Sequence, residues 1–104
     1  MALERVCSVQ DIADGEVKRF DLGSARIALA RIGDGFFAIG DRCTHQDVSL
    51  SEGELLIDSC ELECPKHGSC FSLETGIPNS LPATKAVPTY VVRIDDGALF
   101  VEVD

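Results

Sequence analysis

Short runs rich in β-branched and aromatic residues alternate with glycine-bearing turns along most of this chain. Arg26–Ile32, Phe36–Ile39, Tyr90–Ile94 and Ala98–Val103 read as strands. The turns between and around them are Asp14-Gly15, Gly33-Asp34-Gly35, Gly53, Glu74-Thr75-Gly76 and Asp95-Asp96-Gly97. Period-two spacing puts Ile27 and Leu29, and likewise Leu99, Val101 and Val103, on inward faces. No segment carries a sustained helical stripe. Many short strands with Gly-rich turns predict an all-β fold, a sandwich or barrel. Pro78, Pro82 and Pro88 make the stretch 78–88 a stiff connection rather than a strand. No repeat, linker or low-complexity tract interrupts the 104 residues, which suit a single compact domain over 1–104.

The charge changes which partners are admissible. A formal net charge of −9 argues against nucleic-acid binding, which needs a basic footprint. No stretch approaches the roughly 20 apolar residues of a membrane helix. Met1-Ala2-Leu3-Glu4-Arg5 lacks the basic start and apolar run of a secretory signal, so a soluble, cytoplasmic monomer is expected. The odd count of five cysteines argues against a disulfide framework. Cys7, Cys60 and Cys70 read as small buried hydrophobes. Alternation would place Cys60, Leu62 and Cys64 on one strand face and Glu61 and Glu63 on the other.

Two short words carry the chemistry: Cys43-Thr44-His45 and Cys64-Pro65-Lys66-His67-Gly68. They are separated by 18 residues and contain both histidines of the chain. A zinc finger usually brings its cysteines in one turn and its histidines in another. Here each word carries one of each, so each loop could reach both metals of a two-iron cluster. A structural zinc site built from the same four residues is the other metal such a set could take.

The pattern C-x-H … C-x-x-H-G resembles the Rieske family, which binds a [2Fe–2S] centre through two Cys on one iron and two His on the other. Asp41-Arg42 before the first loop, Ser49-Leu50-Ser51-Glu52-Gly53 after it and Gly68-Ser69 closing the second are similar too. The resemblance implies that Cys43 and Cys64 bind one iron and His45 and His67 the other. It implies a Rieske-like sandwich or partly open barrel of short antiparallel strands, with a small cluster-binding subdomain at about residues 41–80. Leu81-Pro82-Ala83 matches the proline loop that covers the cluster in this family.

The resemblance also bears on potential. High-potential members brace the cluster with a disulfide, and the matching positions here are Val48 and Lys66. They also place a Tyr hydroxyl against a ligand sulfur, where this chain has Phe71; Ser69 matches a serine that can bond a bridging sulfide. Fewer donors to sulfur stabilise the reduced state less, so a potential at the low end of the family is expected.

A terminal oxygenase would need two more histidines and a carboxylate for its mononuclear iron, and both histidines are already used. No G-x-G-x-x-G loop is present for a reductase. The chain is similar to the small Rieske-type ferredoxins of multicomponent aromatic-ring dioxygenases. That similarity implies a one-electron carrier between a flavoprotein NAD(P)H reductase and a terminal oxygenase, with no catalytic residue and no small-molecule substrate of its own. An accessory or redox-sensing protein of iron–sulfur metabolism and the small component of a nitrite reductase are the alternative readings. Between the two words lie Asp47, Glu52, Glu54, Asp58, Glu61 and Glu63 with no Lys or Arg. This is either an ordinary solvated hairpin or a field that steers a basic partner.

Overall fold

In a computed structural model, residues 2–23, 25–43, 48–66, 68–79 and 85–103 are described. They form ten strands and two short 3-10 turns, with no α-helix among them. The strands are β1 (Ala2–Ser8), β2 (Val17–Leu22), β3 (Ala25–Ile32), β4 (Gly35–Gly40), β5 (Leu55–Leu56), β6 (Glu61–Glu63), β7 (Cys70–Ser72), β8 (Thr89–Tyr90), β9 (Val92–Asp95) and β10 (Ala98–Val103). They pair antiparallel into three sheets, β1-β10-β9, β2-β3-β4-β8 and β5-β6-β7, and none closes on itself. The all-β expectation is met.

The central sheet has two covered faces, and β3 shows why. Ile27 and Leu29 join Cys7, Ile12, Ala38, Leu99, Val101 and Val103 in one buried cluster. Ala28 and Ala30 point the other way, into a second cluster with Ile39, Cys43, Leu50, Leu62, Cys64, Phe71, Leu73 and Val87. Successive strand residues face opposite sides, so a strand buried on both reads as a continuous apolar run. The β1-β10-β9 sheet covers one face, and the residues between β4 and β8 cover the other. Small Ala28 and Ala30 leave room for that second layer.

Four strands depart from the hydrophobic pattern. The run Tyr90–Ile94 is two strands: Thr89–Tyr90 pairs with β4, and Val92–Asp95 pairs with β10. The chain changes sheets at Val91, which is half-exposed and accepts a hydrogen bond from Glu102 N. Along β1 the first four residues are exposed and only Cys7 is buried. Pairing with β10, with a bulge between Arg5 and Cys7, makes it a strand. β2 is similarly specified by its ladder to β3 rather than by apolar periodicity.

The chain leaves β4 towards the small sheet and is tied down on its return. Phe71 bridges Pro78, Val87 N donates to Gly76 O at 2.9 Å, and Gly40 N donates to Pro88 O at 2.8 Å. Gly76 sits at φ +76, and a Cβ there would lie 2.1 Å from Val87 O. Only glycine combines that conformation with that approach. Leu81-Pro82-Ala83, expected to cover the cluster, lies outside the described residues.

Candidate metal centre

Both candidate cysteines emerge at the ends of antiparallel stems with the same register. In the first stem Leu50 N donates to Asp41 O, Arg42 bridges Ser49, and Cys43 N donates to Val48 O at 3.0 Å. In the second, Glu63 pairs with Cys70 and Cys64 N donates to Ser69 O at 2.7 Å. Each cysteine therefore bonds the carbonyl of the fifth residue after it and opens a four-residue tip. Gly68 N closes the second tip on Cys64 O at 3.1 Å, with Gly68 at φ +76. The matching register presents two thiols as equivalent donors.

Cys43 and Cys64 are each only 2 % exposed and belong to the same buried cluster, beside Leu50, Leu62 and Phe71. None of the five cysteines is in a disulfide. His45, His67, Thr44 and Asp47 lie outside the described residues. Phe71 is fully buried and Ser69 is 1 % exposed; Val48 is half-buried and Lys66 exposed. Two cysteines in one water-poor cluster, each followed within three residues of sequence by a histidine, fit the donor set of a two-iron cluster with two sulfur and two nitrogen ligands.

The two stems are held against each other by backbone. Glu63 N donates to Glu54 O at 2.9 Å, and Gly53 N donates to Leu50 O at 2.9 Å. A Cβ on Gly53 would fall 1.7 Å from Glu63 O and 3.2 Å from Leu50 O. Gly53 has φ −85, so conformation does not require glycine there; the carbonyl next to Cys64 does. The turn reading of Gly53 gave no sign of this contact.

The remaining cysteines differ from the uniform buried reading. Cys7 is buried, whereas Cys60 and Cys70 are only partly so. Cys60 is not in β6: the Ile57–Cys60 turn has to reverse the chain from β5, and Cys60 takes φ +56. Leu62 and Cys64 still face inward as the alternation requires. Burial raises the Cys60 thiol pKa, with Glu74 and Glu61 adding to it. Burial likewise raises that of Cys70, reinforced by Glu61 and Glu63. The Cys70 thiol lies 3.9 Å from Glu63 Oε2 and 3.6 Å from Gly68 O. Glu52, Glu54 and Asp58 are exposed, while Glu61, at the start of β6, accepts a hydrogen bond from Asn79 Nδ2.

Comparison with known proteins bears on the whole chain. The family model of the Rieske [2Fe-2S] domain matches residues 3–91. The chain is 44% identical over 96 residues to the ferredoxin subunit of 3-phenylpropionate/cinnamic acid dioxygenase from Escherichia coli (strain K12), covering 92% of this chain and 89% of that one. The ferredoxin of carbazole 1,9a-dioxygenase from Nocardioides aromaticivorans IC177 superposes with a TM-score of 0.93 at 31% identity, covering 97% of each chain. A ferredoxin solved in complex with the oxygenase of carbazole 1,9a-dioxygenase matches with a TM-score of 0.87 at 39% identity, covering 95% of this chain and 91% of that one.

Gly53→Ala is expected to destabilise the protein by about 3 kcal/mol, because the methyl group must displace a backbone carbonyl. Gly33→Ala, at φ +59 with open space around it, should cost only about 1 kcal/mol of left-handed strain. Urea denaturation of both variants measures the difference; equal losses would remove the wedge argument. Cys60 and Cys70 hold their protons to higher pH than ordinary thiols, so iodoacetamide should label them slowly at about pH 8 and faster as pH rises further. Mass-spectrometric labelling rates that level off below about pH 8 would contradict the raised values.

Proposed function

The chain belongs to the Rieske [2Fe-2S] domain family, and on that footing we propose that it is a one-electron carrier of an aromatic-ring dioxygenase system. It takes electrons from a flavin-dependent NAD(P)H reductase and delivers them to a separate terminal oxygenase. The observation that carries this reading is likeness along nearly the whole chain, in sequence and fold, to ferredoxin components of dioxygenase systems. We read residues 1–104 as one domain, with the subdomain at about 41–80 holding the cluster.

Cys43 and Cys64 would hold one iron and His45 and His67 the other. When bound, the cluster accepts and releases a single electron at its metals. The residues around the thiols shape that exchange. Leu50, Leu62 and Phe71 surround the sulfur side with apolar groups and exclude water from it. Phe71 fills its place without a hydroxyl to donate to sulfur, and Val48 and Lys66 provide no disulfide across the tips. Both absences leave added negative charge poorly stabilised, which favours a low potential.

The exposed carboxylates Glu52, Glu54 and Asp58 lie in the subdomain and would steer a basic partner surface towards it. With no catalytic residue of its own, the protein would act only through such encounters. Among the described residues no helix is long and apolar enough to cross a membrane, and we place the protein in the cytoplasm.

Reconstitution with reductases and terminal oxygenases of aromatic dioxygenase systems tests the carrier role. NADH-dependent substrate turnover should require this protein in at least one combination; turnover unaffected by its presence in all of them would reject it. A redox titration should give a midpoint near about −150 mV. A midpoint clearly above zero would refute the argument from Phe71, Val48 and Lys66.

A further inference from the structure

We propose that Arg19 and Asp41 form a charge couple that positions the first ligand loop, both legs of whose stem meet one guanidinium. The proposal rests on Cys43 being a cluster ligand. Asp41, two residues before Cys43, is wholly buried. Its backbone is committed on both sides, with N donating to Arg26 O at 2.9 Å and O accepting from Leu50 N. Oδ1 accepts the Ser51 N–H at 2.8 Å. Among the described residues Oδ2, which is buried, accepts no hydrogen bond. Arg19 faces it, with Nε 3.7 Å away.

Arg19 reaches in from β2, an element that belongs to the scaffold and not to the loop. Asp21, two residues along the same strand face, orients it through Nε–Oδ1 at 3.1 Å and Nη2–Oδ2 at 3.4 Å. Nη1 then donates to Ser49 Oγ at 3.4 Å. Ser49 bridges Arg42 on the opposite leg of the stem. One side chain therefore touches the outgoing leg at Asp41 and the returning leg at Ser49, immediately below Cys43 and Val48.

The two halves of the couple are not equivalent. Asp41 has no access to water, so losing Arg19 leaves a buried anion without that ion pair and with the Ser51 N–H as its hydrogen-bond donor among the described residues. Arg19 is 40% exposed at its side chain and keeps Asp21, so losing the Asp41 charge strands nothing. Removing the cation should therefore damage the loop more than removing the anion, and removing both should do less harm than removing the cation alone. Ordinary packing roles would not produce that reversal.

The test uses holoprotein and two readouts, the rate at which a chelator bleaches the visible absorption and the midpoint potential. Arg19→Met should bleach roughly tenfold faster than wild type, Asp41→Asn less so, and the double variant more slowly than Arg19→Met alone. Arg19→Lys should recover most of the wild-type rate. Unbalanced negative charge opposes reduction, so Arg19→Met should lower the potential and Asp41→Asn should raise it. If Arg19→Met yields no holoprotein, its recovery on adding Asp41→Asn reads the same coupling. A double variant that bleaches as fast as Arg19→Met or yields no more holoprotein, or single variants that shift the potential in the same direction, would overturn the couple. A colourless wild-type protein would instead defeat the ligand reading of Cys43.

Discussion

The contact on which the site depends is backbone against backbone, where Gly53 lies under the carbonyl of Glu63. The two cysteines arrive on different stems, one made by residues 41–51 and the other by 61–72. Neither stem is long enough to be stable by itself; three-residue strands such as β6 and β7 need a partner layer. Gly53 allows the end of the first stem to close directly on the residue before Cys64, with Glu54 O bonding Glu63 N. A side chain there would act as a spacer between the thiols. The approach of the two cysteine stems is thus set through peptide groups, whose positions are far less adjustable than side-chain rotamers.

That small assembly is stabilised from below by the central sheet. Ala28, Ala30 and Ile39 receive Leu62, Phe71, Leu73 and the two cysteines, while the opposite face of the same strands packs on β1 and β10. A chain of this length buries too little surface to give each layer its own core. Sharing β3 and β4 between two clusters solves this, and it couples ligand placement to the stability of the whole domain. A rigid mounting suits an electron carrier, because a site that barely moves between oxidation states has little reorganisation to drive.

Strands β3, β4 and β10 and their inward residues could be read from alternation because each has at least one face that is apolar throughout. β1 and β2 could not: their apolar residues do not keep a regular alternation and few of their side chains are buried, and their ladders to β10 and β3 make them strands. The break at Val91 was hidden because both halves of the run are apolar, and a change of sheet leaves no mark on a period-two pattern. The Cys/His words pointed to a donor set, since residue type and spacing are what a metal reads; of that set Cys43 and Cys64 share one buried cluster, and His45 and His67 lie outside the described residues. What the words could not convey is contact between distant backbone segments. Gly53 looked like any turn glycine, and Cys60 looked like a strand residue although the chain there takes φ +56.

Arg19 marks the same limit for electrostatics. In the sequence it is one more cation on a polar strand, followed two residues later by an ordinary aspartate. Asp41 could be singled out only by its place before the first ligand word. Neither position suggests the other, because their proximity exists only once β2 is laid beside β3 and the loop stem folds over them. A buried carboxylate is costly unless it is compensated, and here the compensation comes from the scaffold instead of the loop. That arrangement ties the stability of the first stem to the pairing of β2 with β3.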